Sequence, residues 1–314
     1  VSNGTVRLDQ SGTGAPVPGM LYWLDASDSA TLTVNASNRV SQWSDKSGNS
    51  LHFTQASAAR QPLLVVNALS GKPVLRFDGV TNRLVLGSSS SPQTVFIVNK
   101  VTAGGSLRGI WGLNQADTGL RMASATMWQQ PGNANDFGNP AGSAMYINGI
   151  ETGTFTAGAA HLLEVARSSS TTYAATGLGD YFSSGSVPPR PYCGDIAEVL
   201  VYGRALTLAE RLQVEAYLAL KWLGGPGPCN DLLPATTAVT LAADGATLDL
   251  NGTSQRIAAL AGAAGSRVQL GAATLTVGGG NASSKFSGVI SGTGALTKNG
   301  SGTLTVAAES TYSG

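Results

Sequence analysis

Paired carboxylates are the residue pattern that would carry the clearest chemistry in this sequence. An acid and a nucleophile that flank one glycosidic bond must lie close together, and a string such as Glu-x-Asp-x-Glu or Glu-x-Asp-x-x-Glu on one strand would place them so. Neither string occurs, and the six glutamates are scattered over positions 151, 164, 198, 210, 215 and 309. Asp195 and Glu198 are three residues apart, so on a regular strand they face opposite sides. The spacing therefore predicts no catalytic carboxylate pair.

Serine nucleophiles need a histidine beside the serine and an acid to orient it. The chain has two histidines, His52 and His161, and it lacks a Gly-x-Ser-x-Gly sequence. We interpret both histidines as structural or surface residues, and we predict no catalytic residue. An active site assembled from residues that are distant in the sequence stays open as an alternative.

An aromatic residue in a polar, loop-like stretch is the pattern that best fits ligand binding, because binding residues concentrate on loops. Trp128 lies in such a stretch, 112–145, and Tyr181 follows a second Gly-rich turn. Sugar rings stack on aromatic faces while amides bind their hydroxyls. The candidate ligand-binding residues are Trp128, Gln130, Asn133, Asn135, Asp136 and Tyr181. Trp128 has an alternative role, since tryptophan also anchors loops to a core.

The two cysteines, Cys193 and Cys229, do not show metal-ligand spacing, because no Cys-x-x-Cys or nearby histidine accompanies them. A disulfide between them is the leading interpretation, and two unpaired thiols are the alternative. A disulfide would place the chain in an oxidising compartment.

Composition limits the class of protein. Among 314 residues, 42% are hydrophobic and 12% are charged, with 41 glycines and a net charge of +1. The weak charge argues against a nucleic-acid partner, and no run reaches the roughly 18 apolar residues that a membrane span needs. Because the chain begins at Val1 without a leader, we expect a mature or trimmed chain.

Short strands and one helix must position these residues. Runs rich in β-branched and aromatic residues recur between turns from Met20 onward, and they predict an antiparallel sandwich. Thr207 and Glu210 form a capping box, and apolar residues at helical spacing follow to Leu223. We expect this helix to pack on the sandwich edge and close the domain.

The pattern of the sequence changes after Cys229. Residues 235–314 repeat short β-runs that end at Gly or Asn, such as Ala273–Gly278 and Gly302–Val306. Such runs bury their aliphatic residues only by stacking on neighbours, which predicts the start of a right-handed parallel β-helix. The predicted divisions are an N-terminal strand or linker at 1–19, a jelly-roll β-sandwich at 20–228 and a partial β-helix at 229–314. The fold class is all-β with one closing helix.

Two stretches resemble known families. Leu24–Asp28, Val40–Asn49, Asn67–Gly79 and Gly194–Leu206 resemble the laminin-G-like jelly rolls of the concanavalin A-like lectin and glucanase superfamily. Residues 286–314, with Phe286-Ser287-Gly288 returning as Tyr312-Ser313-Gly314, resemble the autotransporter-associated β-strand repeat. The second resemblance implies a secreted or bacterial outer-surface location and a full-length protein that continues into further β-helix repeats.

The laminin-G-like resemblance also implies a calcium site, because related sandwiches often hold Ca²⁺ with carboxylates and carbonyls. The candidate ligands are Asp25, Asp28, Asp45, Asn49 and Asp78. Equally, these residues fit Asx turns and backbone caps.

The expected function is therefore a secreted or cell-surface binding or adhesion module for a polysaccharide or surface glycan, carried on a β-helical stalk. The alternatives are a polysaccharide-active hydrolase or lyase, and a structural cap of the β-helix.

Overall fold

The structure, a computed structural model, divides into two compact units that we describe separately. It describes residues 4–7, 16–103, 108–113, 118–128, 143–169, 172–173, 175–181, 190–223, 233, 235–279 and 281–314. We call the unit that contains most of residues 17–225 the sandwich unit, and the unit that contains residues 235–314 the solenoid unit.

Antiparallel strands and one described helix build the sandwich unit. The first strand of the chain, β1 (Thr5–Arg7), belongs instead to the solenoid unit. The strands that follow are β2 (Met20–Asp25), β3 (Leu32–Val34), β4 (Val40–Trp43), β5 (Phe53–Thr54), β6 (Leu63–Leu69), β7 (Lys72–Asp78), β8 (Leu84–Leu86), β9 (Thr94–Val101), β10 (Gly109–Leu113), β11 (Thr118–Ser124), β12 (Met127–Trp128), β13 (Ala144–Ile147), β14 (Ile150–Glu151), β15 (Ala160–Ala166), β16 (Thr176–Leu178), β17 (Asp180–Tyr181), β18 (Arg190–Pro191) and β19 (Cys193–Tyr202). Short 3₁₀ turns at Ser29–Thr31 and Ala58–Arg60 precede β3 and β6, and the helix α1 spans Leu208–Trp222.

Two sheets form the sandwich. The eight-stranded sheet has the order β14-β13-β15-β9-β19-β7-β6, with β2 paired to β19. The ten-stranded sheet has the order β12-β11-β10-β16-β8-β5-β4-β3, with β18 paired in parallel to β10 and β17 paired to β18. Tight turns set the register of hairpins: Asn148 and Gly149 have positive φ and join Ile147 to its partner Ile150.

One apolar core joins the two sheets. Leu75, Ile97 and Val199 of the eight-stranded sheet belong to the same buried cluster as Trp43 and Trp111 of the ten-stranded sheet. The Trp111 indole N–H donates to the Tyr22 hydroxyl at 3.0 Å, which satisfies a buried polar group between the sheets.

A bulge in β19 changes which side chains share a face. The register with β9 shifts between Ile196 and Glu198, so Ala197 is an extra residue. Ile196 and Val199 belong to the core, whereas Asp195 and Glu198 do not. Both acids therefore lie on the outer face of the sheet, and the expectation that they face opposite sides is wrong.

The helix begins with the predicted capping box. The Thr207 side chain accepts from the Glu210 N–H, and the Glu210 carboxylate accepts from the Thr207 N–H. Side chains near both ends of the helix form hydrogen bonds to inner strands of the eight-stranded sheet. Arg211 donates to Glu164 of β15, and Trp222 donates to Glu198 of β19. These ends of the helix thus lie over the outer face of the eight-stranded sheet, and not on the sandwich edge as expected.

Parallel strands build the solenoid unit. They are β20 (Ala238–Leu241), β21 (Thr247–Asp249), β22 (Gln255–Ile257), β23 (Ala259–Gly262), β24 (Arg267–Gly271), β25 (Leu275–Val277), β26 (Ser284–Phe286), β27 (Val289–Gly292), β28 (Leu296–Lys298), β29 (Leu304–Val306) and β30 (Thr311–Tyr312). Three sheets result, with the orders β1-β21-β24-β27-β30, β20-β23-β26-β29 and β22-β25-β28. The predicted N-terminal strand is thus part of the solenoid, since β1 adds in parallel to β21.

Stacked rungs hold the solenoid together. Leu248, Val268 and Ile290 occupy equivalent positions on successive rungs and fill its core. A side-chain ladder repeats on its surface, because Ser254 accepts from the N–H of Thr274 and Ser283 from that of Thr303, in each case 20 residues on. The predicted fold class, an all-β sandwich with a helix followed by a parallel β-helix, is confirmed.

Candidate functional site

Four charged residues of the sandwich unit are joined by ion pairs, and we call them the acid–lysine cluster. Asp25 is the last residue of β2, and Glu198 is its cross-strand partner on β19. Lys46 follows β4, and Lys221 lies in the last turn of α1. The cluster therefore joins the first sandwich strand, the bulged strand and the helix.

The two lysines contact the two acids directly. The Lys221 ammonium lies 2.9 Å from Asp25 Oδ2 and 2.7 Å from Glu198 Oε2. Lys46 lies 2.9 Å from the same Asp25 oxygen and 2.9 Å from Asp28 Oδ2. Asp25 and Glu198 are buried, while both lysines keep a small exposed fraction. Because buried charges need partners, each acid has at least one cation.

Two tryptophans complete the surroundings of Glu198. The Trp23 indole N–H donates to Glu198 Oε1 at 2.6 Å, and the Trp222 indole N–H donates to Oε2. The Lys46 ammonium lies 4.4 Å from the centroid of the Trp23 ring, which is cation–π range. The carboxylate is thereby held in one orientation.

Burial and charge act differently on the two acids. Burial raises the pKa of Glu198, and the negative charge of Asp25 raises it further against the opposing effect of Lys221. Burial also acts to raise the pKa of Asp25, but Lys221, Ser27 and Lys46 outweigh it, so its pKa lies below the ordinary value. Asp25 is therefore the ionised member of the pair, and Glu198 is the one that takes up a proton more readily.

This arrangement has limited scope for glycan cleavage. A general acid or nucleophile must reach a substrate oxygen or carbon, yet Asp25 and Glu198 are buried and bound by lysines and indoles. Asp195, another acid on this face, is bound in a bidentate pair by Arg76 at 2.7 and 2.9 Å. The carboxylates of Asp25, Glu198 and Asp195 are thus bound by side chains of the protein itself.

Comparison with known proteins leaves the family open. No protein-family model matches the chain, and no curated protein is significantly similar to it. The structure supports only the coarser part of the two resemblances, which is a β-rich fold that ends in a β-solenoid.

Trp128 is fully buried. Its indole N–H donates to His161 Nε2 at 3.0 Å, and its ring packs against Phe155 and stacks on Tyr192. The ring has no face free for a sugar in this structure. This favours the core-anchoring alternative, and Trp128 is better described as the anchor at the start of the segment that follows β12 than as a ligand-binding residue.

His161 receives the Trp128 hydrogen bond on an uncharged ring nitrogen. Burial lowers its pKa from 6.5 to about 4, and the contact of Nδ1 with the Ala159 carbonyl opposes this only in part. The ring is therefore neutral near pH 7, with the proton on Nδ1 and the lone pair on Nε2. The prediction of a structural role for His161 agrees with these contacts.

The other predicted binding residues lie outside the described residues. These are Gln130, Asn133, Asn135 and Asp136, and the side chain of Tyr181, whose backbone belongs to β17. Cys229 is also outside them, so its disulfide with Cys193 stays a prediction.

The five predicted calcium ligands cannot bind a single ion together. On β19, Cys193 is the cross-strand partner of Asp78, and Glu198 is that of Asp25. Because Cys193 and Glu198 are five residues apart on this strand, Asp78 and Asp25 are separated by roughly 16 Å. Asp78 instead accepts the N–H groups of Val80, Thr81 and Asn82.

The other four calcium candidates also have protein partners. Asp28 caps a 3₁₀ turn, Asp45 accepts from the N–H groups of Trp23 and Ser47, and the Asn49 amide donates to the Met20 carbonyl. These contacts favour the turn-and-cap alternative. Within the described residues there is no group of three or more His, Cys, Asp or Glu side chains placed to hold a metal. Calcium stays a prediction, and a lower melting temperature in EDTA would support it.

Sequence reasoning missed the lysines of the cluster. One signal was present, because Glu198 is a charged residue inside the apolar run 196–202, and a buried carboxylate needs a cation. Nothing in the sequence pointed to Lys46 or Lys221 as that cation.

Proposed function

We propose that the chain is a binding module whose sandwich holds a polysaccharide or surface glycan and whose β-solenoid carries it. The observation that carries this proposal is the locked state of Asp25 and Glu198, the adjacent acid pair in the described sandwich. Acids held by lysines and indoles stabilise the fold, and they do not supply the exposed couple that hydrolysis requires.

The segment 129–142 is the proposed ligand-binding surface. It follows β12, at one end of the ten-stranded sheet, and precedes β13, near one end of the eight-stranded sheet. Its N-terminal anchor, Trp128, is fixed by His161 and Tyr192. Gln130, Asn133, Asn135 and Asp136 would then bind sugar hydroxyls from a rigid base.

The solenoid fits the role of a carrier. Its strands pair in parallel at a regular rung spacing, and β28, β29 and β30 each have a described partner on one side. Further rungs can add to these edges, so continuation into more repeats is part of the proposal. Among the described residues, α1 is neither long nor apolar enough to cross a membrane. Secretion or surface display is likewise proposed, from the repeat resemblance and the predicted disulfide.

A polysaccharide panel scored for retention and for new reducing ends tests the proposal. We expect one polymer to retain the protein without gaining reducing ends. Asn133→Ala combined with Asn135→Ala should weaken retention roughly thirtyfold, because two lost hydrogen bonds at about 1 kcal/mol each remove about 2 kcal/mol of binding free energy. Gln213→Ala, an amide removed from an exposed helix position, is the matched control and should bind as the parent does.

The outcomes separate the alternatives. New reducing ends or unsaturated products would reject the binding proposal in favour of a hydrolase or lyase. Retention by none of the polymers would favour the structural-cap alternative.

A further inference from the structure

The acid–lysine cluster brings an amine into contact with a carboxyl group and a second, buried carboxyl group. Lys221 Nζ lies 2.9 Å from Asp25 Oδ2 and 2.7 Å from Glu198 Oε2. Glu198 is fully buried, and Trp23 and Trp222 donate to it and cover it. These three groups are the components of an amide condensation: a nucleophile, an electrophile and a proton carrier.

We propose that Lys221 and Asp25 condense into an intramolecular amide bond, with Glu198 carrying the proton. The geometry supports it because nucleophile and carboxyl are held in contact at an effective concentration far above that of free groups. Burial also reduces the cost of the neutral amine and neutral acid relative to the ion pair, which is still the major state.

The reaction balances without any other reactant. The Lys221 ammonium passes one proton to Asp25, which leaves a neutral amine and a neutral carboxylic acid. The nitrogen lone pair attacks Asp25 Cγ, a C–N bond forms, and the electrons move onto Oδ1. Glu198 takes a proton from the nitrogen and returns it to Oδ2. The Cγ–Oδ2 bond then breaks, and one water leaves.

Neighbouring donors are placed to stabilise the intermediate. Asp25 Oδ1 accepts from the Ser27 N–H at 3.0 Å and from the Ser27 hydroxyl at 2.6 Å, so negative charge on this oxygen has two donors. Lys46 lies 2.9 Å from Oδ2, the oxygen that leaves. Each Asp25 oxygen thus has the donors that its role requires.

Lys221 rather than Lys46 is the nucleophile because of what lies beside it. Lys46 bridges Asp25 and Asp28, and the Asp28 side chain is 36% exposed. Lys221 bridges Asp25 and the buried Glu198, whose pKa burial raises. Lys221 is therefore the lysine whose amine contacts a buried proton carrier, Glu198.

The bond would tie the first strand of the sandwich unit to the last turn of its helix. Because the lysines and Ser27 hold the pKa of Asp25 low, the neutral pair is a minor state. We therefore expect the condensation to follow folding slowly, over hours to days.

Intact-mass spectrometry of the folded, aged protein, reduced and denatured before injection, tests the proposal. We expect a mass below that calculated from the sequence by one water, and a proteolytic peptide that joins the segments around Asp25 and Lys221. Lys221→Arg, which keeps the charge but cannot form the amide, and Glu198→Gln, which removes the proton carrier, should both show the full calculated mass.

The native chain alone decides the matter, so a variant that fails to fold does not affect the result. A full calculated mass after several days would overturn the proposal. A cross-linked peptide that contains Lys46 in place of Lys221 would also overturn it.

Discussion

Replacing Lys221 with methionine should destabilise the sandwich unit by roughly 3–5 kcal/mol. The change removes the cation that bridges Asp25 and Glu198 and leaves two buried carboxylates as cross-strand neighbours. Lys46 still contacts Asp25, so Glu198 is the acid that is left without this cation.

Urea unfolding followed by tryptophan fluorescence measures this effect. All five tryptophans lie within residues 17–211 and 218–225, so the signal follows the sandwich unit. The matched control is Lys72→Met, which removes a half-exposed lysine from β7 and should change stability by about 0.5 kcal/mol or less.

A double variant identifies the cause. Lys221→Met with Glu198→Gln should recover part of the lost stability, because a neutral amide replaces the unpaired charge while the indole N–H groups keep an acceptor. Equal losses in the single and double variants would mean that lost packing, and not the unpaired acid, explains the effect.

The stability of the sandwich unit should also fall by about 3 kcal/mol as pH drops from 6.5 to 4 because of His161 alone. Burial lowers its pKa from 6.5 to about 4. The unfolded chain therefore binds a proton in this range that the folded chain does not. The His161 contribution is fully present above pH 6.5, and it is lost as pH falls towards 4. Protonation would also turn Nε2 from the acceptor of the Trp128 hydrogen bond into a donor.

The slope of unfolding free energy against pH checks this prediction when the parent and His161→Gln are compared. Glutamine does not titrate and keeps an acceptor for Trp128, while contributions from the carboxylates are common to both proteins. We expect a shallower slope between pH 4 and 6.5 in the variant. Parallel slopes would show that His161 titrates alike in the folded and unfolded states.

The same residues show how far the binding site could be predicted. Trp128 was correctly recognised as a conspicuous residue, but its role was open because a tryptophan in a polar stretch suits both a ligand platform and an anchor. Its partners His161 and Tyr192 are distant in the sequence. Sequence distance hides such contacts, and only folding decides whether a ring face meets water or a core.

Most elements of the fold could be predicted from local sequence signals. The capping box at Thr207 predicted where the helix begins, and the apolar runs and Gly-Asn turns predicted the sandwich and the stacked rungs. The helix cap, the strand-forming runs and the turns depend on residues a few positions apart, so the sequence by itself determined these elements.

Only the tertiary structure decided the chemistry of the outer sheet face. The extra residue Ala197 turned Asp195 and Glu198 to the same side, and strand pairing then set Glu198 beside Asp25. The helix brought Lys221, which is distant from Asp25 in the sequence, into contact with both acids. Register shifts and long-range pairing arise from the balance of many weak contacts across the sheet, and no short stretch of sequence contains that balance.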